Sequence, residues 1–549
     1  MKTNLKSFLI LFALITVALI PARADFIKST YTGPTEGNWG DPANWSPAIV
    51  PNNGGGDTFA ASVANVFLTL DLDVAVNRLR FEPGGTAPFL YCLDYNFTSA
   101  HTSIGNGGIL WASAVAKDVT VDFGELADFS GTTLKTGDAY AVTAEPGRTA
   151  TLKFKNANIF RSAAGINLAG TGANITDEQG RDAITHFRHN LFDGYFDLEV
   201  GRNFTTEGSF INEGFITVFA SDPGFVSGDI DTTLTINGSY TGIGYPLDPN
   251  TDGQVQLIAP GPDGDARMII NGALTNYDAG TQTLHKSWFA WLAANGASAT
   301  TLVLGGGKPF DIVTSEASLL LFGPKTGFRD RRGRSALCNL ATSARMLIGD
   351  RDFTTIGSFT TTSRLSIFGD TQFTVNGDLT VAGGFLELWP LTGYAWAGEP
   401  GFPTDPAYLP ANLLVTGSFN LPAQSILLFH VYDANTLATM TVNGSVTLAG
   451  SLESGVDDVS QLTPSDSITV MTANQIVGQF ANVPSGGRVN SYALYDGLGN
   501  PMGDPNGSFL VTYDDSTLVL SDFQPAEGAW NRKFVPTDPE VRQRRLLKR

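Results

Sequence analysis

The chain has little of what disulfide-stapled or strongly basic proteins are built from. Only two cysteines, Cys92 and Cys338, occur among 549 residues, and they lie 246 positions apart. Small disulfide-stapled folds use many more, so that class is excluded, while one long-range bridge and two buried thiols both stay open. Charged residues make up 16% of the chain, with a formal net charge of −19. Such an acidic chain repels phosphate backbones, which argues against nucleic acid as a partner.

Long hydrophobic runs are also missing, except at the N-terminus. The first 24 residues carry a charged start at Lys2, an apolar centre from Phe8 to Ile20, and the small-x-small end Ala22-Arg23-Ala24. This pattern predicts a secretory signal peptide over 1–24, cleaved before Asp25. An uncleaved N-terminal anchor is the alternative, but the apolar centre is short for a membrane span. We therefore expect a secreted or cell-surface protein with no transmembrane segment after cleavage.

Helical runs rich in Glu and Lys are missing as well, whereas glycine and phenylalanine are abundant. The chain holds 61 Gly and 36 Phe, and this composition suits short strands broken by Gly and Asn turns. The 525 residues left after cleavage are many for one compact core. A repeat architecture escapes that limit because it grows in one dimension.

A short pattern with a central glycine recurs along the chain. Its later glycines lie 20, 40 and 27 residues apart, which fits β-coils of about 20–30 residues with occasional insertions. The clearest copies are LTINGSYT from Leu234, MIINGALT from Met268, FTVNGDLT from Phe373 and MTVNGSVT from Met440.

The phase of the apolar residues indicates how these repeats fold. Asn-Gly between apolar runs normally predicts a hairpin. A hairpin at Asn443-Gly444 would pair Val442 with Ser445 and so place apolar side chains opposite polar ones. A strand that continues through the glycine instead keeps one apolar face, formed by Val375, Leu379, Val442, Val446 and Leu448.

The sequence therefore predicts an all-β fold, a right-handed parallel β-solenoid or β-helix. Each coil of such a fold buries its inward row against the same row of the next coil. A set of β-sandwich domains is the alternative, because sandwiches also alternate strands with turns every 8–12 residues.

Three segments interrupt the repeats and set the expected domain organisation. Residues 25–60 are rich in Trp, Pro, Asn and Gly and predict an irregular N-terminal cap. Solenoid repeats are expected over 61–525, with a loop insertion at 389–412 that holds five prolines. Residues 526–549 are basic at their end and predict a flexible or weakly helical tail.

The mature N-terminus resembles the opening of bacterial surface proteins that carry autotransporter-associated β-strand repeats and similar passenger-like solenoids. Their recurring Gly-x-Trp, Asn-Trp, Val-Pro and Asp are matched by Trp39, Asn44-Trp45, Val50-Pro51 and Asp57. The stretches SITVMTANQIVGQFANVPSG from Ser467 and GSFLVTYDDSTLVLS from Gly507 are similar to the closing coils of such passengers. The resemblance implies an exported solenoid, and it identifies an architecture more than an activity.

Two departures from that family concern attachment to the cell. Autotransporters end in an outer-membrane barrel, for which no room is expected after Ser521. Relatives with a sorting tail combine a Pro-Glu-Pro, an apolar helix and an Arg cluster, and only the Arg-rich finish is present. Free secretion and non-covalent retention both stay open, as does the oligomeric state.

Candidate metal-binding and catalytic residues are few. His186 and His189 would face opposite sides of a strand, which argues against a shared metal. The sequence holds no EF-hand loop, calcium nonapeptide, H-E-x-x-H, G-x-S-x-G or phosphate loop. We expect no catalytic residue, no metal and no cofactor. Three acidic pairs are expected to face solvent on strands or in turns: Asp71 and Asp73, Asp457 and Asp458, and Asp514 and Asp515.

Four aromatic residues crowd the 389–412 insertion and form the predicted ligand-binding site: Trp389, Tyr394, Trp396 and Tyr408. Exposed rings stack on sugars or pack into a partner, and the alternative is that these rings tie the loop to the solenoid.

Trp288 and Trp291, in SWFAWLAA, are expected in a short helical or capping insertion. The basic run RDRRGR at 329–334 is expected to be a solvated loop, with attraction to anionic glycans as the alternative.

The sequence as a whole predicts an exported, non-catalytic β-solenoid of the bacterial cell surface or matrix, acting in adhesion or structural display. The expected partner is a polysaccharide or surface glycan. The alternatives are a carbohydrate-binding protein and a β-helical polysaccharide lyase or hydrolase, whose convergent carboxylates would come from neighbouring coils.

Overall fold

The computed structural model is built from short β-strands. Within the residues it describes, the helices are the 3-10 turns Pro42–Asn44 and Val459–Gln461, and none is long and apolar enough to span a membrane. The prediction of an all-β fold is therefore confirmed. The described residues are 25–54, 57–105, 107–135, 137–222, 226–243, 254–285, 289–295, 297–305, 310–392, 407–495 and 500–527.

The chain divides into two compact units, which are described separately. Unit 1 holds the described residues up to Ala144 together with Arg148–Asn158 and Asn174–Ile184. Unit 2 holds Glu145–Gly147, Ile159–Ala173 and the described residues from Thr185 onward. The interruptions of the sequence repeats do not predict this division.

Unit 1 contains two ladders of parallel strands. The first ladder begins inside the expected N-terminal cap and runs through Phe26–Tyr31, Thr58–Val63, Val74–Phe81, Phe97–Ser103, Val119–Asp122 and Ala150–Lys153. The second ladder consists of Glu36–Asn38, Phe67–Thr69, Phe89–Leu93, Ile109–Ala114 and Ala139–Ala144. Shorter strands complete the unit: Trp45–Ser46, Glu125–Leu126, Phe129–Ser130, Thr133–Leu134 and Ala173–Thr176.

Unit 2 contains three sets of parallel pairings, of which the longest is a ladder of twelve described strands. Its register is unbroken except for local shifts, and each strand pairs with the strand of the preceding coil. The strands are Gly165–Ala169, Tyr195–Glu199, Phe215–Phe219, Gln254–Ala259, Phe289–Ala294, Thr314–Phe322, Thr342–Gly349, Phe359–Ile367, Phe385–Leu388, Ile426–Val431, Ser451–Val456 and Arg488–Tyr492.

A second set of pairings in unit 2 occurs in two runs. The earlier run is Phe204–Thr206, Thr232–Ile236, Ala266–Ile270, Thr300–Leu304 and Thr326–Asp330. The later run is Phe353–Thr355, Thr371–Val375, Ala411–Val415, Ala438–Leu448 and Ser467–Gly478.

The third set also occurs in two runs. Several long strands of unit 2 pair in the twelve-strand ladder or in the second set at one end, and they pair in the third set at the other end. The earlier run is Arg161–Ser162, His189–Asn190, Phe210–Asn212 and Tyr240–Gly242. The later run contains three short strands: Thr283–Leu284, Leu379–Val381 and Phe419–Leu421. They pair with the ends of five long strands named above: Thr314–Phe322, Thr342–Gly349, Phe359–Ile367, Ala438–Leu448 and Ser467–Gly478.

Antiparallel strands lie at the outer edges of both units. Trp45–Ser46 pairs with Phe26–Tyr31 in unit 1, and Thr517–Pro525 pairs with Ser467–Gly478 in unit 2. The remaining antiparallel strands of unit 2 are Gly507–Tyr513, Ser221–Asp222, Val226–Asp229, Tyr277–Asp278, Leu494–Tyr495 and Pro501–Met502. The dominant pairing is nevertheless parallel, whereas β-sandwich sheets are antiparallel. Coil-on-coil parallel pairing is compatible with a β-solenoid.

The predicted inward row is confirmed. The strand Ala438–Leu448 continues through Asn443-Gly444 without reversing, and Val442 lies beside Val415 of the preceding coil. Thr441, the neighbour of Val442, is exposed. A hairpin at this Asn-Gly is therefore excluded. The five residues expected to share the buried face are each at most 3% exposed: Val375, Leu379, Val442, Val446 and Leu448.

Close approach between coils explains the recurring glycine. The amide of Gly444 donates to the carbonyl oxygen of Gly417 at 2.8 Å, and the amide of Gly417 donates to that of Gly377 at 2.9 Å. A Cβ at Gly444 would lie 2.6 Å from the Gly417 oxygen, closer than any side chain tolerates. The glycine row thus lets successive coils pack backbone against backbone at one corner.

One local expectation is wrong. Trp291 lies in the strand Phe289–Ala294, not in a helical or capping insertion, and it is 6% exposed. Its strand pairs in parallel along both edges, and the consecutive residues 290–294 are all buried, so this stretch is buried on both faces. Trp288 lies outside the described residues.

Candidate functional site

A cluster of interacting polar side chains lies next to the described ends of the 389–412 insertion. The two ends of the insertion form a short antiparallel stem, in which Leu391 is bridged to Tyr408. The amide of Leu409 donates to the carbonyl oxygen of Pro390 at 2.8 Å, and that of Thr392 donates to Ala407 at 2.8 Å. The middle of the insertion, with the predicted site residues Tyr394 and Trp396, lies outside the described residues.

The other two predicted site residues pack against the protein. Trp389 is 5% exposed and stacks on His430, with ring centroids 4.0 Å apart and an interplanar angle of 8°. Tyr408 stacks on Tyr432 at 3.7 Å and 8°. One face of each ring is therefore covered by another ring of the chain. Ligand binding by Trp389, Tyr394, Trp396 and Tyr408 stays a prediction.

Four charged or titratable side chains meet beside this stem, three of them buried and the fourth, Arg364, partly buried. Arg364, Glu387 and His430 come from three successive strands of the twelve-strand ladder, and Asp457 follows the next strand. Because alternate residues of a strand share a face, the register that sets Ser366 beside Glu387 brings these side chains to one side of the ladder.

Glu387 is the centre of this buried ionic cluster. One of its carboxylate oxygens accepts hydrogen bonds from Arg364 at 2.8 Å and from the Ser366 hydroxyl at 2.5 Å. The other oxygen lies 3.1 Å from Nε2 of His430. On the far side of the imidazole, Nδ1 lies 3.6 Å from Asp457, whose second oxygen accepts a 2.7 Å hydrogen bond from the Trp389 indole.

Contacts within the cluster favour the charged forms of Glu387 and His430. Burial would raise the pKa of Glu387, but the charge of Arg364 and the hydrogen bond with His430 hold it well below its usual value. Burial would lower the pKa of His430, yet its contacts with Asp457 and Glu387 raise it. Two carboxylates thus face a guanidinium and an imidazole, each at least nearly buried. Because Trp389 of the stem stacks on His430 and donates to Asp457, and Glu387 of its strand accepts from Arg364, this arrangement connects the stem to three other coils.

Sequence reasoning missed this cluster. Asp457 was expected in a solvated turn and is instead 2% exposed, because the indole of Trp389, 68 positions earlier, reaches across two coils to it. The sequence signal for this cluster is that Glu387 and His430 are each the single polar residue within an apolar run, FLELW and ILLFHV. A buried charge requires a partner, so such runs point to a polar cluster.

A second candidate lies in unit 1, where two buried carboxylates and a tyrosine come together. Asp128 accepts a 2.6 Å hydrogen bond from the amide of Ile104. Asp138 is 5% exposed, and neither its Oδ1 nor the hydroxyl of Tyr140 has a hydrogen-bond partner among the described residues. Burial and the charge of Asp128 raise the pKa of Asp138 to about 8, against the opposing charge of Lys135. Asp138 is therefore suited to hold a proton near neutral pH.

The histidines predicted not to share a metal have separate carboxylate partners. His186 lies 2.6 Å from Glu207 and His189 lies 2.8 Å from Glu213. Across the part of the chain that the structure describes, no group of three or more His, Cys, Asp or Glu residues is placed to hold a metal ion. These pairs join neighbouring coils.

The remaining acidic residues that the sequence singled out have structural roles. Asp71 and Asp73 are exposed, as expected, but they lie in the connection after Phe67–Thr69. Asp71 accepts from the amide of Gly40 at 2.7 Å and Asp73 from that of Asn96 at 2.8 Å. The exposed Asp514 accepts from the amide of Thr517 in a tight turn.

The two cysteines are free thiols. Cys92 is fully buried in the second ladder of unit 1, and burial raises the pKa of its thiol. Cys338 is partly buried in unit 2. Of the two arrangements left open by the sequence, the structure therefore has unpaired thiols.

Comparison with known proteins adds no relative against which these sites can be judged. No protein-family model, no curated protein and no solved structure matches the chain.

Proposed function

We propose that this protein is an exported, non-catalytic, right-handed parallel β-solenoid of the bacterial cell surface or matrix that acts in adhesion or structural display. The observation that carries the proposal is the twelve-strand parallel ladder of unit 2. At ~4.8 Å per strand, this ladder spans about 50 Å. Crossovers between parallel strands are right-handed in about 98% of cases, which supports the hand.

The edges of the ladders support a display role. An open strand edge invites pairing with other chains, and antiparallel strands blunt such edges. Trp45–Ser46 covers the edge of the first ladder of unit 1, and Thr517–Pro525 covers Ser467–Gly478 in unit 2. These strands protect the ladders from uncontrolled end-to-end pairing while leaving their sides available to a partner.

Export rests on the charged, apolar and small-residue pattern of residues 1–24, which lie outside the described residues. The test is to produce the full chain with a C-terminal tag in a bacterial host and to sequence the N-terminus of the secreted or surface-bound protein. We expect a sequence beginning at Asp25, with adhesion of producing cells to a polysaccharide-coated surface. An intact Met1 on a cytoplasmic product, or unchanged adhesion on deletion of the gene, would contradict the proposal.

A β-helical polysaccharide lyase or hydrolase is the second candidate, and the Asp128–Asp138 pair favours it. A carboxyl group that keeps its proton near neutral pH, beside a second carboxylate, suits acid–base cleavage of a glycosidic bond. Incubation with polyuronates would reveal a lyase by ultraviolet absorbance and a hydrolase by new reducing ends. Loss of product with Asp138→Asn would support this candidate, and full activity in that variant would exclude this pair as its site.

A further inference from the structure

Two turns of the chain have the same conformation, one in each unit. The Asp177 turn comprises residues 177–184 and the Asp330 turn comprises residues 330–337. The Asp177 turn follows the strand Ala173–Thr176, and the Asp330 turn begins at the last residue of the strand Thr326–Asp330. Both place a glycine in the left-handed region, with φ of 81° at Gly180 and 77° at Gly333. In each turn the glycine amide donates to the carbonyl oxygen of the aspartate, at 3.0 and 2.9 Å respectively.

The aspartate organises each turn in the same way. Oδ1 of Asp330 accepts from the amides of Arg332 and Arg334 at 2.9 Å each, and Oδ2 accepts from the Arg334 side chain at 2.8 Å. Asp177 repeats this pattern with the amides two and four positions later and with the side chain of Arg181. Each aspartate is 2% exposed, so both turns are folded around a buried carboxylate.

The two turns share the sequence pattern D-x-x-G-R-x-A-[IL], and they differ in charge at the two x positions after the aspartate. Unit 1 has Glu178 and Gln179 where unit 2 has Arg331 and Arg332. The side chains at these positions hold no part of the shared hydrogen-bond pattern, although in unit 1 Glu178 accepts from the amide of Asn156 at 2.6 Å and Gln179 accepts from the Arg181 side chain at 2.9 Å. The shared turn conformation therefore does not require arginine at these two positions.

The arginine pair belongs to a concentrated basic patch in an acidic protein. Residues 325–334 hold five basic residues and one acidic residue, a net charge of +4, whereas the chain has −19. The acidic residue is Asp330, which is already bound by Arg334. The basic patch consists of Lys325, Arg329, Arg331, Arg332, Arg334 and Arg351.

Like charges crowd within this basic patch. Burial and the nearby charge of Arg329 lower the pKa of Arg351 to about 10, with Asp352 opposing the shift. Arg331 and Arg332 are exposed, and Arg331 donates to the side-chain oxygen of Asn271. Asp352 lies near Arg351, and Asp311 lies near Arg334. An anion bound among the guanidinium groups would reduce their mutual repulsion.

We propose that the basic patch binds an acidic polysaccharide, one whose sugars carry carboxylate or sulfate groups. Guanidinium groups bind such groups through paired hydrogen bonds, which ammonium groups cannot offer. An acidic polysaccharide can engage a local patch with a few residues. Nucleic acid has a denser negative charge, which the acidic remainder of the protein repels. The proposal deepens the adhesive function by naming the class of partner.

The two turns supply the test. The variant Arg331→Glu with Arg332→Gln gives the Asp330 turn the residues of the Asp177 turn. Titration calorimetry of the full mature chain with oligogalacturonate and with heparin oligosaccharide should show binding that weakens as salt rises. The variant should lose about tenfold or more in affinity, because two of the exposed guanidinium groups are removed. Whichever probe binds more tightly identifies the anion as carboxylate or sulfate.

A control variant separates the patch from net charge. Lys28→Glu with Arg78→Gln makes the same change in charge at exposed strand positions of unit 1, and it should leave affinity unchanged. Equal losses in both variants, tighter binding of DNA than of either acidic oligosaccharide, or no binding of either would overturn the proposed site. The adhesion and N-terminal sequencing experiments do not use these probes, so failure here leaves the proposed function to its own test.

Discussion

The Asp177 turn of unit 1 and the Asp330 turn of unit 2 are alike at the residues that build their common hydrogen-bond pattern and differ at the two positions between aspartate and glycine. Both keep an aspartate for its acceptor oxygens, a glycine for its positive φ, an arginine for its link to the aspartate, and a buried alanine. Between aspartate and glycine, one has Glu-Gln and the other Arg-Arg. The comparison separates residues that the turn requires from residues that are available for binding.

The largest loss of stability is expected from a substitution at an inward residue of the parallel strands, and this loss is the reference for the turn variants. Val442→Asp buries an unpaired charge, which should lower the free energy of unfolding by roughly 3–5 kcal/mol. Thr441→Asp, at the exposed neighbour, should change it by less than about 0.5 kcal/mol. Chemical denaturation of the two variants measures the difference. Equal effects would contradict the inward assignment of Val442.

Removing the aspartate should cost the next most, and equally in the two turns. Asp177→Ala and Asp330→Ala each leave two backbone amides and an arginine without their acceptor. Each should lower the thermal midpoint of its own unit by roughly 6–10 °C. Differential scanning calorimetry can follow both transitions. A large loss in one turn with none in the other would break the equivalence between them.

Acid should weaken both turns in the same pH range. Burial would raise the pKa of Asp330, but hydrogen bonds from Arg334 and the turn amides lower it, and Asp177 behaves alike. A carboxylate with a lowered folded pKa stabilises above its unfolded value of ~3.9 and loses that contribution as pH falls further. Asp330→Asn should therefore flatten the decline of the thermal midpoint below pH ~4 by a few degrees. An unchanged acid profile would show that the carboxylate charge adds nothing.

The glycines should have a smaller effect. Gly180 and Gly333 face open space, so alanine meets no atom there and costs only the left-handed backbone strain. We expect Gly180→Ala and Gly333→Ala each to destabilise by about 1 kcal/mol in urea titrations. Gly54 also faces open space but has no positive φ, so Gly54→Ala is the control and should be nearly neutral.

Exchanging the arginine pair should have the smallest effect on stability. Arg331→Glu with Arg332→Gln should change the free energy of unfolding by less than about 0.5 kcal/mol, because both side chains are exposed. Urea titration at moderate salt measures this. A loss comparable to that of the aspartate variants would mean that the pair is part of the turn, and the distinction between the two classes of residue would fail.

The parts of the fold that follow from local geometry could be predicted from the sequence. The inward placement of Val442 and Val446 follows from the alternation of side chains along a strand, which needs no knowledge of distant residues. The same alternation rejected a hairpin at Asn443-Gly444. The expected surface position of Asp71 was also correct, because charged side chains are rarely fully buried.

Contacts between coils could not be predicted in the same way. Glu387 meets Arg364 from 23 positions earlier and His430 from 43 positions later, since an insertion separates the second pair but not the first. Asp457 is buried because Trp389 of a distant coil reaches it. The candidate pair Asp128 and Asp138 was missed because neither residue stands out in the sequence, and only burial gives Asp138 its raised pKa.

The sequence by itself determined that the chain is all-β, that its strands keep their phase through the Asn-Gly repeats, and that its charge is strongly negative. These properties depend on composition and on the period of two that every strand obeys. The tertiary structure alone decided which charges are buried and which side chains of distant residues meet in the cluster around Glu387 and in the Asp128–Asp138 pair. Those outcomes depend on the number of residues between successive coils, because that number sets which side chains become neighbours when the strands stack.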